Sequence, residues 1–105
     1  MPVAPADVRE IARDALERRR RYGRGGTQVG VARARDIANG RRLSVETLRR
    51  MVSFFARHAT EAERRNRRDR TSAAYIAWAL WGGSKGRAWA IRTLEKLKDD
   101  PGYNA

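Results

Sequence analysis

The stretch LSVETLRRMVSFFARH at residues 43–58 is the most clearly patterned part of the 105-residue chain. Ser44 is a favoured N-cap residue, and Leu43 and Leu48 stand around it at the spacing of a hydrophobic staple. After Ser44, apolar residues recur at helical spacing in one stripe. The stripe consists of Leu48, Val52, Phe55 and Ala59, flanked by Met51 and Phe54. The stretch therefore predicts an amphipathic helix that packs on the core.

The opposite side of this helix carries polar residues. They are Glu46, Arg49, Arg50, Ser53 and Arg57. A recognition helix needs such a stripe, because outward arginines can reach guanine edges or phosphates while the other side packs.

A second helix is predicted before it, capped by Thr27, running to Asn39 and stopped by Gly40. Its apolar side is Val31, Ala34, Ile37 and Ala38. The pair fits a helix-turn-helix, although the turn is longer than the usual three or four residues. An ordinary amphipathic hairpin with a solvated basic face is the alternative.

Helical patterns continue on both sides of this pair. An amphipathic first helix is predicted from Asp7 to Tyr22, with Gly23 ending it and Arg24-Gly25-Gly26 forming a flexible joint. Its apolar stripe is Val8, Ile11, Ala12, Ala15 and Leu16. Between Thr60 and Arg70 the apolar pattern fails, which predicts a solvated, arginine-rich connector with at most partial helix.

The C-terminal third predicts two more helices. Ser72 opens a short one, Ala73 to Trp81, that is apolar on nearly every side and is expected at the centre of the core. Ser84 is expected to cap the last helix, which ends before Asp100-Pro101-Gly102. The inward side of that helix is predicted to be Ala88, Ile91, Leu94 and Leu97. With no strand-like alternation, the chain predicts one all-α domain over residues 1–105, a bundle of about five short helices.

Charge is the most informative global property. The chain has 24 basic residues, 21 of them arginine, against 12 acidic ones, which gives a formal net charge of +12. Such a surplus predicts an anionic partner, and arginine holds phosphate in a bidentate fork. A GC-rich genome is an alternative source of the arginine bias. The absence of cysteine excludes disulfides. The lack of a signal-like N-terminus or an apolar span predicts a cytoplasmic protein, in a host cell or a virion.

Catalysis finds little support in the sequence. His58 is the only histidine, so neither a Ser-His-Asp set nor a histidine metal cluster can be assembled. It is expected beside Phe54 and Phe55 at the edge of the core. The glycine spacing of residues 25–30 imitates a phosphate-binding loop, but Val31 and Ala32 follow where Lys and Ser or Thr are required. The chain is predicted to be no enzyme and to use no cofactor or metal.

Three features instead predict contact with nucleic acid. Arginine runs at 18–21, 41–42 and 64–70 suit a multi-point phosphate clamp, the alternative being a solvated surface with local salt bridges. Residues 83–87 suit a phosphate seat at a helix start, or an ordinary cap. Tyr75, Trp78, Trp81 and Trp89 could stack bases but are expected in the core. The predicted contacts are Arg18, Arg20, Arg21, Arg24, Arg41, Arg42, Arg49, Arg50, Arg57, Arg64, Arg65, Arg67, Arg68, Lys85 and Arg87.

Two blocks of the sequence, residues 22–58 and residues 76–83, also carry a resemblance. The first runs from Tyr-Gly-Arg-Gly-Gly-Thr to Arg-Met-Val-Ser-Phe-Phe-Ala-Arg-His, and the second is Ile-Ala-Trp-Ala-Leu-Trp-Gly-Gly. In this order they resemble a small domain of bacteriophage and prophage proteins, often beside or fused to head-morphogenesis components. The likeness covers most of residues 15–92, with a more arginine-rich connector here. It implies a phage context but brings no activity or site residue.

Two functions follow as hypotheses. The first is a phage-type protein that binds nucleic acid, duplex DNA above all but also RNA, as a regulator or a non-specific coat. The second is a structural or morphogenesis protein whose basic surface meets packaged DNA or an acidic protein. In that case a homodimer contact, or a phage or host partner, would use the tryptophan-rich helix region. Neither hypothesis involves a membrane.

Overall fold

The computed structural model describes residues 2–98, and regular structure within this range is helical throughout. The helices are α1 (Ala6–Tyr22), α2 (Gln28–Ala38), α3 (Val45–Arg57), α4 (Glu61–Asn66), α5 (Ala73–Leu80) and α6 (Gly83–Lys98). The all-α prediction is confirmed for the described residues. They contain six helices, because part of the connector folds as α4. The predicted stop at Asp100-Pro101-Gly102 lies outside the described residues.

Side-chain caps fix where most of these helices begin. The hydroxyl of Ser44 accepts a hydrogen bond from the Thr47 amide at 3.1 Å. Thr27, Thr60 and Ser72 cap α2, α4 and α5 in the same way. Each cap satisfies a backbone donor that the first helical turn leaves unpaired. The three caps predicted at Thr27, Ser44 and Ser72 are therefore confirmed.

The predicted cap at Ser84 is wrong. Helix α6 begins at Gly83, so Ser84 lies inside its first turn. The Ser84 hydroxyl instead accepts a hydrogen bond from the indole Nε1 of Trp78 at 3.2 Å. A buried indole N–H needs a partner, and this need ties the start of α6 to α5.

The core is built around α5, as predicted. Helix α1 packs against α2 and α5, and α3 packs against α6. The largest fully buried side chains are Phe55, Ile37, Leu48, Met51, Ile76, Leu80 and Val8. Four of the six helices thus contribute a large side chain to one shared core.

The inward face of α6 agrees with the prediction only in its second half, where Leu94 and Leu97 pack against the core. Ala88 is exposed and Ile91 is 40 % exposed, whereas Gly86 and Ala90 are buried. A Cβ at position 86 would come within 2.9 Å of the Trp81 carbonyl oxygen. The first turn of α6 therefore lies so close to the end of α5 that only small residues fit between them. Ala59, predicted in the buried stripe of α3, is also exposed, since α3 ends at Arg57.

Gly25 and Gly26, predicted as a flexible joint, are packed tightly against α5. Both have positive φ, and a Cβ on Gly25 would meet Ile76 at 2.6 Å. A Cβ on Gly26 would meet Leu80 Cδ1 at 2.5 Å. Glycine is needed here for backbone conformation and for close approach.

The structure does not confirm a helix-turn-helix pair. A supporting helix packs on the recognition helix in that motif, whereas here α2 packs on α1 and α5. Trp81 occupies the space between the two helices. Its ring stacks on Phe54 of α3 at 4.7 Å between centroids, and the Arg33 guanidinium of α2 lies 5.8 Å from it.

Candidate functional site

The arginines at the end of α1 are largely neutralised by nearby acids. Arg18 pairs with Asp14 at 2.6 Å and Arg20 pairs with Glu17 at 2.7 Å. The hydrogen bond that each arginine donates to its carboxylate raises the pKa of that arginine. These are helical pairs of the i,i+3 and i,i+4 kind, as the salt-bridge alternative expects.

The other two site residues of this region also have local partners. The Arg21 guanidinium lies 5.5 Å from the Tyr22 ring centroid. Arg24 donates to the carbonyl oxygen of Thr71 at 2.8 Å. The run is a charged surface that is already engaged with its own chain.

A second group of predicted contacts has no such partners. Arg57 at the end of α3 and the three arginines Arg64, Arg65 and Arg68, here called the connector arginines, are all exposed. Within residues 2–98 none of the four forms an ion pair, although Glu61 is three or four residues from Arg57, Arg64 and Arg65 in sequence. The acids adjacent to the connector arginines, Glu63 and Asp69, bond to other residues. Their charges are therefore available to an external anion.

Arg67 is set apart from its neighbours in the connector. Its guanidinium lies 3.7 Å from the centroid of the Trp78 ring and donates to the carbonyl oxygen of His58 at 2.9 Å. Burial lowers the pKa of Arg67, while the charge of Glu63 opposes that shift. The side chain thus anchors the connector to the core, a role that the sequence pattern did not indicate.

His58 lies at the edge of the core beside Phe54, as expected, with 4.5 Å between ring centroids. Its Nδ1 is 2.8 Å from a carboxylate oxygen of Glu63. This hydrogen bond is the main reason that the pKa of Glu63 is lowered. The pair joins the end of α3 to α4.

The structure brings the end of α1 next to the end of the connector. Arg18 donates to the carbonyl oxygen of Arg70 at 3.4 Å. The Arg18 and Arg70 guanidinium groups lie 5.8 Å and 6.0 Å from the Tyr75 ring centroid. Arg70 is outside the predicted set but belongs to this basic region, because its guanidinium and that of Arg18 both lie near the Tyr75 ring.

Other predicted contacts lie away from this region. Arg41 pairs with Asp36, and Lys85 lies 3.8 Å from Asp7 in the first turn of α1. Because α1 has 17 residues, its two ends are about 25 Å apart, so Lys85 is far from the α1 arginine run. Arg42 is exposed beside Arg41. The predicted contacts therefore do not form one continuous surface.

The last three predicted contacts lie on α3 and α6. Arg49 and Arg50 are exposed on α3, and Arg50 pairs with Glu46 at 2.9 Å. Arg87 is half-buried on α6, close enough to Arg67 to oppose its charge. The outward direction predicted for the polar stripe of α3 is confirmed.

The aromatic residues form part of the core. Trp78 and Trp81 are 5 % and 7 % exposed, and Phe55 meets Trp78 edge-on at 4.8 Å. Tyr75 and Trp89 are half-buried. The expectation of core tryptophans is confirmed, and the rings of Trp78 and Trp81 offer little area for an unpaired base.

An open groove of about 890 Å³ lies between α3 and α5. Helix α3 lines it with Arg50, Ser53, Phe54 and Arg57, and α5 lines it mainly with alanines. The sequence analysis did not predict it. The available signal was the row of small residues on α5, which the apolar pattern assigned to the core.

Residues 2–98 contain neither a candidate metal-binding cluster nor a candidate membrane-spanning helix. No group of three histidine or acidic side chains is placed to hold a metal ion. No helix of this range has the length and apolar character needed to cross a bilayer.

Comparison of the chain with protein-family models, with curated proteins and with solved structures finds no match. The functional interpretation therefore depends on the chemistry of the residues themselves.

Proposed function

We propose that this protein binds nucleic acid, principally duplex DNA, by contacting phosphates through Arg57 and the connector arginines. The observation that carries the proposal is that these four exposed guanidinium groups form no ion pair within residues 2–98. By contrast, Arg18 and Arg20 pair with acids in their own helix. Guanidinium groups that are exposed and unpaired bind phosphate without first breaking an internal salt bridge.

The proposed binding is independent of sequence. Phosphate contacts fix a protein on the duplex but carry no base information. To read bases with Arg49 and Arg50, α3 would have to enter a groove of the DNA duplex. Helix α3 lacks the supporting helix that a helix-turn-helix provides for this. A phage context remains an expectation that rests on the resemblance alone.

The number of neutralised phosphates sets the expected affinity change. Each phosphate that a variant no longer neutralises reduces the counterion release on binding by about 0.9 ion. At about 0.1 M salt, a variant that leaves three phosphates without an arginine should bind at least ~100-fold more weakly. A random 20-base-pair duplex labelled with fluorescein, titrated in an anisotropy assay, measures this change directly.

The test compares two variants of equal charge. The first carries Arg64→Gln, Arg65→Gln and Arg68→Gln. The control removes three exposed cations outside the predicted contacts, which are Arg35, Arg92 and Lys96. We expect the affinity of the control to fall by less than about fivefold, since long-range attraction is screened over about 10 Å. Equal losses of affinity in both variants would reduce the proposal to unspecific charge attraction.

A further inference from the structure

The groove between α3 and α5 suits a partner other than DNA. On one wall, Arg50, Ser53, Phe54 and Arg57 follow one another at i, i+3, i+4 and i+7. These positions lie on a single face of a helix, so the wall is continuous. Ser53 and both arginines are exposed, whereas Phe54 is 8 % exposed and lies at the base of the wall.

The other wall, from α5, consists of small residues. Ala73 is exposed, and Ala74 and Ala77 are half-buried along the groove. Small side chains allow the backbone of a bound segment to approach closely. Val29, which also lines the groove, is 56 % exposed. The exposed valine and the alanines together form an exposed apolar surface, and such surfaces often mark sites of protein contact.

The charges around this apolar surface are mainly positive. Arg50, Arg57 and Arg67 line the groove, and Glu63 is the acid among its lining residues. Glu63 is hydrogen-bonded to His58, and that bond lowers the pKa of Glu63. The groove therefore complements a segment that is apolar on one side and acidic at its edges.

The aromatic rings at the base of the groove are already covered. Arg67 lies over Trp78, and Phe54 stacks on Trp81. A nucleobase needs a free aromatic face to stack on, and neither tryptophan offers one. The alanine wall instead suits aliphatic side chains.

We propose that the groove binds an acidic amphipathic helix of a partner protein. Its leucine-like side chains would lie on the apolar surface. Its carboxylates would pair with Arg57 and would compete with Glu46 for Arg50, whose salt bridge with Glu46 is solvent-exposed. The lining segments 50–58 and 73–81 each span nine residues, about 12 Å along a helix, so roughly two turns of the partner are held. This activity goes beyond nucleic-acid binding. It shares Arg57 with the proposed phosphate contacts, whereas Arg64, Arg65 and Arg68 do not line the groove.

The probe is a synthetic 16-residue helical peptide with leucine at i, i+3, i+4 and i+7 and glutamate at the flanking positions. Isothermal titration calorimetry with the full chain should give a dissociation constant below about 100 μM. A matched peptide with lysine in place of glutamate should bind at least tenfold more weakly. A third peptide with glutamine in place of leucine should not bind measurably. Equal binding of the first two peptides, or none by the first, would overturn the proposal.

Amide chemical shifts then locate the contact. We expect the largest shifts at Ser53, Ala74 and Ala77. Shifts confined to the connector arginines would mean attraction to charge alone and would contradict the proposal. So would self-association of the chain in sedimentation equilibrium that the peptide does not reverse, because the groove would then hold a second copy.

Two pairs of variants separate this groove from the DNA surface. Ser53→Trp, which fills the groove from an exposed position, should weaken peptide binding at least tenfold, while Ala88→Trp on the exposed side of α6 should not. Both should keep the wild-type unfolding midpoint. The triple connector variant should still bind the peptide while losing DNA, and Ser53→Trp should do the reverse. Loss of both ligands in both variants would contradict a groove that binds its partner without Arg64, Arg65 and Arg68.

Discussion

Replacement of Arg67 by alanine tests the distinction between an anchoring arginine and its exposed neighbours. The guanidinium lies 3.7 Å from the Trp78 ring centroid and donates to the His58 carbonyl oxygen. A desolvated cation–π contact contributes about 2 kcal/mol. A hydrogen bond from a charged donor contributes about 1.5–3 kcal/mol. Release of the ordered side chain returns about 2 kcal/mol of entropy, so we expect a net loss of roughly 1.5–3 kcal/mol.

The assay is thermal and urea unfolding followed by far-ultraviolet circular dichroism. A loss of this size should lower the melting temperature by roughly 6–24 °C for a domain of this length. Arg67→Lys keeps the charge but loses the planar stacking group, so it should lie between wild type and Arg67→Ala. Arg68→Ala is the matched control, because Arg68 is exposed and unpaired within residues 2–98. It should change stability by less than about 0.5 kcal/mol.

Equal stability of the alanine variants at positions 67 and 68 would refute this account. If Arg67→Ala were as stable as Arg68→Ala, the stacking on Trp78 would contribute nothing. If Arg67→Ala kept its stability but lost DNA binding, Arg67 would have to leave the ring and contact phosphate. The tryptophan fluorescence of Arg67→Ala tests whether Arg67 covers Trp78, since exposure of the indole should shift its emission to longer wavelength.

Three further predictions concern the core, a cap and the acidic link. Phe55→Ala should lower the free energy of unfolding by about 3–5 kcal/mol, because the ring is fully buried. Urea unfolding measures this, and a loss under about 1 kcal/mol would contradict it. Ser44→Ala should lower it by about 1 kcal/mol through loss of the α3 cap; the same assay with Ser44→Asp should restore most of that loss. The contribution of Glu63, whose pKa is lowered by His58, should be complete above its ordinary pKa of 4.5 and disappear as pH falls through the lowered value. Glu63→Gln should therefore reduce the pH dependence of stability in that acidic range, and an unchanged profile would exclude the link.

Local sequence signals predicted most of the secondary structure. Ser44, Thr27 and Ser72 cap the helices that they were expected to cap, and Gly23 ends α1 in the left-handed conformation. These features depend on a few consecutive residues. Helix packing does not, and this is why Ala88 and Ile91 were wrongly predicted to face inward: the close approach of Gly86 to the end of α5 turns a neighbouring face of α6 toward the core.

The candidate site was less predictable for the same reason. Composition predicted a basic surface, but not which arginines have partners within the chain. The exposed Arg68 and the anchored Arg67 are adjacent in sequence and equal in residue type. Only the position of Trp78, 11 residues further along, distinguishes them. The groove was not predicted, because the alanines of α5 stand in an almost wholly apolar stretch of sequence that is typical of core helices. Their exposure depends on the distance between α3 and α5, which the sequence of α5 does not determine.

The salt dependence of duplex binding tests the central claim most directly. Four phosphate contacts predict a slope of about −3.6 in log affinity against log salt, which is roughly a 150-fold loss between about 50 and 200 mM. With Arg64, Arg65 and Arg68 replaced by glutamine, the slope should fall to about −0.9, while the Arg35, Arg92 and Lys96 control keeps the wild-type slope. A triple connector variant that retained the wild-type slope would contradict the claim that these arginines bind the phosphates.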